Sequence, residues 1–175
     1  MPSSEQSGTQ IITEQRQFPR FRGNACGDVE GVAFGAFYNR EGGTTTTEDM
    51  LIETAQRFCD LRERRLGDGL QGVYIRDKHL ILLDTRLRGV QLRCVLAHEI
   101  SHARHMDAGC RVDKWVERRA DQEAALMLID PMEYAYAETI YEGNAMGMAR
   151  ELNVLPWVIG AYRERLHDDP TLAML

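Results

Sequence analysis

The composition of the chain limits what it can be. Its 175 residues, of which 43% are hydrophobic, are enough for one ordinary domain with its own core but hardly for two. The 27 acidic residues outnumber the 21 basic ones, and the net charge of −6 favours a protein partner over nucleic acid. No leader pattern opens the sequence and no run approaches the roughly 20 apolar residues that span a bilayer, so we expect a cytoplasmic protein.

The cysteines do not indicate a structural module. None of them stands in a C-x-x-C pair, so we predict neither a disulfide framework nor a cysteine-bound zinc ion. We expect all four thiols to be reduced, and they are Cys26, Cys59, Cys94 and Cys110.

The first 46 residues contain clusters of serine, glutamine and glycine and show no sustained helical period. We therefore predict a loose arm with extended pieces over residues 1–46. Thr46 or Thr47 then caps a helix that is predicted to continue through TEDMLIETAQRFCDLRERR. The apolar stripe of this helix consists of Leu51, Ala55, Phe58 and Cys59.

Two β-rich runs follow the glycine-rich break at Gly67–Gly72. Val73–Arg76 and His79–Asp84 flank the polar pair Asp77–Lys78, which predicts a hairpin. The next segment, Gly89–Met106, has apolar residues at helical spacing and predicts a mostly buried helix. A strand beside this helix could bind an extended peptide by edge pairing.

His98, Glu99 and His102 lie within that helix in the pattern H-E-x-x-H. Four residues rise about 6 Å along a helix and complete slightly more than one turn, so both imidazoles lie on one face. They can converge on one metal ion while Glu99 reaches the water that the ion activates. The pattern therefore predicts the chemistry of a zinc protease.

A catalytic zinc ion usually takes three protein ligands, so a third ligand must come from outside the motif. His105 is the nearest candidate, but it lies seven residues from His98, roughly 10 Å along the helix axis. The longer pattern H-E-x-x-H-x-x-G-x-x-H also fails, because Ala108 stands at its last histidine. We therefore interpret His105 as a surface or supporting residue.

The next predicted helix, Val112–Leu128, carries Glu117 and Asp121 four residues apart on its apolar side. One explanation is that both are solvated charges paired with Arg118 or Arg119. The other is that one carboxylate binds the metal ion and the second accepts a hydrogen bond from a ligand histidine. We favour the metal interpretation, although spacing alone makes the two carboxylates look alike.

Pro131 is expected to end that helix, and three further helical segments follow it. Their predicted ranges are Glu133–Tyr141, Ala145–Leu152 and Pro156–Leu166. The last two resemble a helix-turn-helix pair, and the alternative is a helical corner packed on the core, which the negative charge of the chain favours.

Two groups of side chains in this region are candidates for further roles. In the helix-turn-helix interpretation, phosphate contacts would come from Arg150, Arg163 and Arg165. An oxyanion stabiliser could come from the tyrosines, although packing is their simpler role. These tyrosines are Tyr134, Tyr136 and Tyr141.

The stretch Val73–Pro131 resembles the ImmA/IrrE-type metallopeptidases of bacteria, phages and integrative elements. Members show R-x-x-x-A-H-E-x-x-H, then E-x-x-A-[DN]-x-x-A and a leucine-rich end closed by proline. The first motif appears here as Arg93–His102 and the second as Glu117–Ala124. The chain departs from the pattern at Glu123, which replaces a usually apolar residue, and in its ending, which is one residue longer.

The resemblance implies roles for individual residues. His98, His102 and Glu117 would bind Zn²⁺, and Glu99 would be the general base. Asp121 then remains as the acceptor that orients a histidine ring. The resemblance also implies a cytosolic zinc metalloendopeptidase that cleaves a regulatory protein, commonly a helix-turn-helix repressor of a phage or mobile element.

We therefore predict an α+β fold, a mainly helical zincin-like peptidase domain with a small β-sheet or hairpin before the H-E-x-x-H helix. Its core spans residues 47–131, and residues 132–175 form a C-terminal helical extension of the same domain. Two alternatives stay open. One is a zinc-containing, non-proteolytic regulator that binds a repressor or DNA through its C-terminal helices, and the other is a zinc hydrolase that is not a protease.

Overall fold

A computed structural model of the protein describes residues 46–67, 69–108 and 113–174. Within these residues the chain forms six α-helices and three β-strands, so the predicted α+β, mainly helical fold class is confirmed. The predicted N-terminal arm lies outside the described residues except for Thr46, and so do Cys26 and Cys110. Cys59 and Cys94 are buried free thiols.

Most helices begin where a side chain or a proline satisfies the first turn. Asp and Asn side chains cap three of them. Proline is the first residue of two, because an N–H group in the first turn has no acceptor within the helix and proline loses nothing by lacking it. No helix of the described residues is both long and apolar enough to cross a membrane. The helices are α1 Glu48–Gln56, α2 Gly89–His105, α3 Lys114–Leu128, α4 Pro131–Tyr141, α5 Ala145–Glu151 and α6 Pro156–Asp168.

The three strands form one small sheet, and their bounds are β1 Asp60–Arg64, β2 Gly72–Ile75 and β3 Leu80–Asp84. The apolar strand β3 lies in the centre, parallel to β1 and antiparallel to β2. A short 3-10 turn, Arg76–Lys78, connects β2 and β3, so the predicted hairpin is confirmed. Among the described residues β2 is an edge strand, and it packs beside α2.

The first helix is shorter than the sequence predicts. Thr47 caps it as expected, but α1 ends at Gln56 and the end of the predicted helix is strand β1. Leucine, arginine and glutamate favour helices in isolation, which explains the error. In the folded chain Leu61 and Glu63 alternate as buried residues with exposed neighbours, because β3 offers the run a hydrogen-bonding partner along its edge.

Helix α2 is the centre of the fold. It packs on α3 on one side and on α1 and the sheet on the other, and most of its residues are buried. Arg93 joins it to two distant loops, because its buried guanidinium donates to the carbonyl oxygens of Thr46, at 3.1 Å, and Asn153. The helix that carries H-E-x-x-H is therefore held from several directions.

The C-terminal helices pack on this core. The prediction that Pro131 ends the preceding helix is wrong, because α3 already ends at Leu128 and Pro131 is the first residue of α4, behind the cap of Asp130. Helix α6 packs on α3 and on α5. Arg163 donates to the carbonyl of Gly143 at 2.6 Å, an internal contact that fits the corner interpretation better than a phosphate contact.

Candidate metal centre

His98 and His102 bring two ring nitrogens together on one face of α2. Their Nε2 atoms lie 3.0 Å apart and the rings meet edge to face, with centroids 4.7 Å apart. His102 is almost fully buried at 1% side-chain exposure, whereas His98 borders a cleft. The four-residue spacing thus has the effect expected from helix geometry.

Glu117 reaches this pair from α3. Its Oε2 lies 3.5 Å from Nε2 of His98 and its Oε1 lies 3.7 Å from Nε2 of His102. Tetrahedral ligands at zinc distances are about 3.3 Å apart, close to the three separations found here. One ligand atom from each residue lies within 4.8 Å of the others, so the three side chains could hold a metal ion.

The outer nitrogens of both imidazoles face carboxylates. Nδ1 of His98 lies 2.9 Å from Oδ1 of Asp121, and Nδ1 of His102 lies 2.8 Å from Oδ2 of Asp107. An ionised carboxylate only accepts hydrogen bonds, so each Nδ1 carries the proton and each Nε2 turns a lone pair towards the other. Two lone pairs that face each other repel unless a cation or an additional proton lies between them, so the donor set fits a metal ion.

The pKa values of the two histidines move in opposite directions. Burial lowers the pKa of His98, but the hydrogen bond to Asp121 and the charges of Glu99, Asp121 and Glu117 together raise it above its ordinary value. For His102 burial also lowers the pKa, and it stays below its ordinary value despite Asp107. An additional proton would therefore lie on His98, and a metal ion competes with that proton as pH falls.

Asp107 is a site residue that the sequence analysis missed. Helix α2 ends in a turn in which Met106 adopts the left-handed conformation at φ 50°, and the Asp107 amide donates to the carbonyl of His102 at 3.1 Å. This turn brings the Asp107 carboxylate back beside His102. Arg119 of α3 pairs with the same carboxylate, and these contacts together hold the pKa of Asp107 below its usual range despite burial.

We expect Asp107→Asn to weaken zinc binding by about 10- to 100-fold, because the amide no longer fixes the proton and orientation of the His102 ring. Competition with a chelating zinc indicator measures this change. Glu123→Gln is the matched control, since Glu123 contacts Ser101 and the ring of His105 rather than the rings of His98 and His102. Equal zinc affinity in wild type and Asp107→Asn would remove Asp107 from the metal centre.

Glu99 lies against the start of strand β2. It is buried, and it lines a cleft of about 300 Å³ together with Gly72 and His98. A Cβ atom placed on Gly72 would stand 2.9 Å from Oε1 of Glu99 and 2.7 Å from Cγ1 of Val95, which is closer than real Cβ atoms approach. The absence of a side chain at Gly72 therefore lets the strand and the Glu99 carboxylate share this space.

We expect Gly72→Ala to displace the Glu99 carboxylate and to slow by about tenfold or more any reaction in which that carboxylate takes part, since a displacement of about 1 Å at a reacting group can cost 100-fold. The metal content should stay at the wild-type level because the atoms nearest to a Cβ at Gly72 belong to Val95 and Glu99, not to the three clustered ligands. Parallel measurement of kcat and bound zinc checks this. Gly67→Ala is the control, as a Cβ there meets nothing within 4 Å; full activity in Gly72→Ala would show that the close approach does not matter.

Trp157 of α6 is the second residue that sequence reasoning missed. Its ring meets the His98 ring edge to face, with centroids 6.2 Å apart at 87°. It lines the cleft that contains Glu99 and also a neighbouring cleft of about 450 Å³ between α3 and α6. Glu117 and Asp121 line both clefts, so the metal centre is open to solvent next to the Trp157 side chain.

The other candidate residues do not join the three-residue ligand group. Arg118 pairs with Glu164 and Asp168, and Arg119 pairs with Asp107. Both arginines thus form salt bridges with carboxylates other than Glu117 and Asp121, which argues against the salt-bridge explanation. His105 contacts Glu123 on the protein surface. None of the three candidate tyrosines lines the two clefts at the cluster, as far as the described residues show.

Comparison of the chain with protein-family models, curated proteins and solved structures gave no match. The family resemblance therefore rests on the motif residues alone and stays a prediction. The geometry of the side chains is independent of it. His98, His102 and Glu117 form a group that could hold a metal ion, whichever family the chain belongs to.

Proposed function

We propose that the protein is a zinc-dependent metallopeptidase that hydrolyses a peptide bond in a cytoplasmic regulatory protein. The observation that carries the proposal is the convergence of His98, His102 and Glu117 next to a solvent-accessible cleft that also contains Glu99. Three ligands beside an open position are typical of catalytic zinc, whereas structural zinc is usually enclosed by four protein ligands. The zincin-like assignment of the fold belongs to the same proposal.

The donor set favours zinc over the hard cations. Two imidazole nitrogens and one carboxylate suit zinc, while magnesium and calcium prefer oxygen ligands throughout. When bound, a zinc ion supplies Lewis acidity, which acidifies water and polarises the carbonyl of the scissile peptide. The carboxylates of Asp121 and Asp107 keep both imidazoles in the tautomer that presents Nε2 to the ion.

Glu99 performs the proton transfers in this proposal. Its carboxylate takes the proton from the attacking water and returns it to the leaving amine, so no covalent bond forms between enzyme and substrate. The lack of a side chain at Gly72 leaves the space that this carboxylate occupies beside the cleft. Trp157 lines one side of the cleft, where its ring contacts the ring of His98.

A protein substrate fits the surroundings of the cleft. Strand β2 has a free edge within the described residues and begins at the cleft, so an extended peptide can pair with it and pass the metal centre. The resemblance to the ImmA/IrrE-type peptidases makes a helix-turn-helix repressor the first substrate to test. The experiment is incubation of the zinc-loaded protein with such a repressor, followed by mass spectrometry of the products.

We expect the purified and zinc-reconstituted protein to contain about one zinc ion per chain, because the cluster offers ligands for a single ion. Elemental analysis after gel filtration measures the ratio. A value below about a tenth of an equivalent would contradict the enzyme proposal, since the proposed mechanism depends on zinc to activate the water. One equivalent of zinc without cleavage of any repressor would instead favour the non-proteolytic regulator.

A further inference from the structure

Helix α4 exposes an apolar stripe to solvent. Met132, Tyr136 and Ile140 follow one another at four-residue spacing, and their exposed fractions are 70%, 64% and 48%. The stripe is about 12 Å long, which is two turns of a helix. Surface helices of globular proteins normally carry charged or polar residues on such a face, so a continuous apolar stripe marks an interaction surface.

The stripe continues onto α5. Ile140 shares a groove with Met146, which is 55% exposed, and the ring of Tyr141 packs on Gly147 in the floor of that groove. We call Met132, Tyr136, Ile140 and Met146 the α4–α5 surface. None of these four residues lines either cleft at the metal centre, so the surface is separate from the reacting groups.

The segment that carries this surface is strongly acidic. Residues 130–151 contain five carboxylates and a single arginine, a formal charge of −4, whereas the whole chain has −6. Glu142, Asn144 and Arg150 line the same groove as Ile140 and Met146, and the segment charge of −4 already includes that arginine. An apolar surface with a negative border is complementary to a segment that combines apolar and basic side chains.

We propose that the α4–α5 surface binds a basic amphipathic helix of a partner protein. Two of its four residues are methionines, whose flexible side chains adapt to different apolar partners. A helix with apolar residues at every third or fourth position fits a stripe of two turns, and its lysines and arginines meet the carboxylates at the border. A second copy of this chain is disfavoured, because two segments of charge −4 would face each other.

The identity of the partner rests on the proposed function. A repressor that binds DNA needs a basic surface to neutralise phosphates, so its helices have the required charge. The α4–α5 surface would then hold the substrate while an extended segment of it reaches the cleft. Binding itself needs no hydrolysis, so the two proposals can fail separately.

The test is binding of a labelled helical peptide to the full chain, followed by fluorescence anisotropy. The probe is a peptide of about 18 residues with leucine at every third or fourth position and lysine and glutamine elsewhere. A scrambled peptide of the same composition lacks the apolar face, and a second peptide carries glutamate in place of lysine. Glu99→Gln protein is used throughout so that cleavage cannot interfere.

We expect the basic helical peptide to bind at least about tenfold more tightly than either control peptide. Tyr136→Ser and Ile140→Ser should each weaken binding by about tenfold, since single central residues dominate such contacts. The double variant Glu133→Gln, Glu142→Gln should weaken it severalfold and reduce its salt dependence. Trp115→Ser is the matched control, because Trp115 is 66% exposed on α3 outside the surface, and it should bind as wild type.

Several results would overturn the proposal. Equal binding of the helical and scrambled peptides, or equal losses in Tyr136→Ser and Trp115→Ser, would show that the surface is not recognised. A dimer in sedimentation that Tyr136→Ser dissociates would assign the surface to a second copy. Loss of hydrogen-exchange protection of residues 1–45 in Tyr136→Ser would assign it to the chain's own N-terminal segment. Peptide binding to the Glu99→Gln protein, together with no cleavage of a repressor by the zinc-loaded wild-type protein, would leave this proposal standing and contradict the proposed enzyme instead.

Discussion

Glu99→Gln should reduce peptide hydrolysis by about 100- to 10,000-fold while the protein keeps its zinc and its fold. The amide has nearly the same shape as the carboxylate but cannot accept a proton from water at neutral pH. Glu99 is not among the three side chains whose ligand atoms converge, so the metal site is left intact. Cleavage of a repressor under single-turnover conditions measures the rate, and elemental analysis measures bound zinc.

The control for this variant is Glu123→Gln. It makes the same chemical change at a carboxylate that contacts α2 through Ser101 rather than through the reacting groups. It should cleave at close to the wild-type rate. If Glu99→Gln also cleaved at the wild-type rate with zinc bound, Glu99 would not be the general base. The cleft beside Gly72 would then not be identified as the place of the reaction.

Glu117→Gln should lower zinc affinity by more than about 100-fold and abolish hydrolysis with it. The variant removes a negative charge that lies near both Nε2 atoms, and a neutral amide oxygen is a poorer zinc ligand than a carboxylate. Asp121→Asn should lower zinc affinity less, by about 10- to 100-fold. Asp121 does not belong to the ligand group but contacts Nδ1 of His98, and this contact orients the ring.

Titration of both variants with a zinc indicator ranks the two carboxylates. Glu164→Gln is a suitable control, since Glu164 lines the neighbouring cleft but pairs with Arg118. A greater loss of zinc in Asp121→Asn than in Glu117→Gln would reverse the assigned roles. Asp113→Asn should keep its zinc, because Asp113 caps α3 through the Trp115 amide; loss of zinc in that variant would also contradict the assignment.

Local periodicity was sufficient to predict the part of the chain that carries the chemistry. The α2 bounds, the β2–β3 hairpin and the convergence of His98 with His102 all follow from helix and strand periods within short segments. Four-residue spacing on α3 also placed Glu117 and Asp121 on the side that faces α2. These features depend on neighbours in sequence, so the sequence contains nearly all the information they need.

Strand β1 depends on a partner that is distant in sequence. Its residues favour a helix on their own, and they become a strand because the edge of β3 lies beside them, with Asp60 opposite Leu80. Helix α4 illustrates the same limitation. Proline is common both just after a helix and in the first turn of one. Here Pro131 is the first residue of α4, because the Asp130 side chain caps that helix.

The tertiary structure alone decided how the metal centre is supported. Asp107 reaches His102 because Met106 takes a left-handed conformation that glycine or asparagine usually marks, so the turn carries no sequence signal. Trp157 reaches His98 only through the packing of α6 on α3, and Gly72 meets Glu99 only through the packing of the sheet on α2. Spacing therefore identified the residues that can bind the ion, whereas the residues that orient them come from elements whose proximity no local pattern encodes.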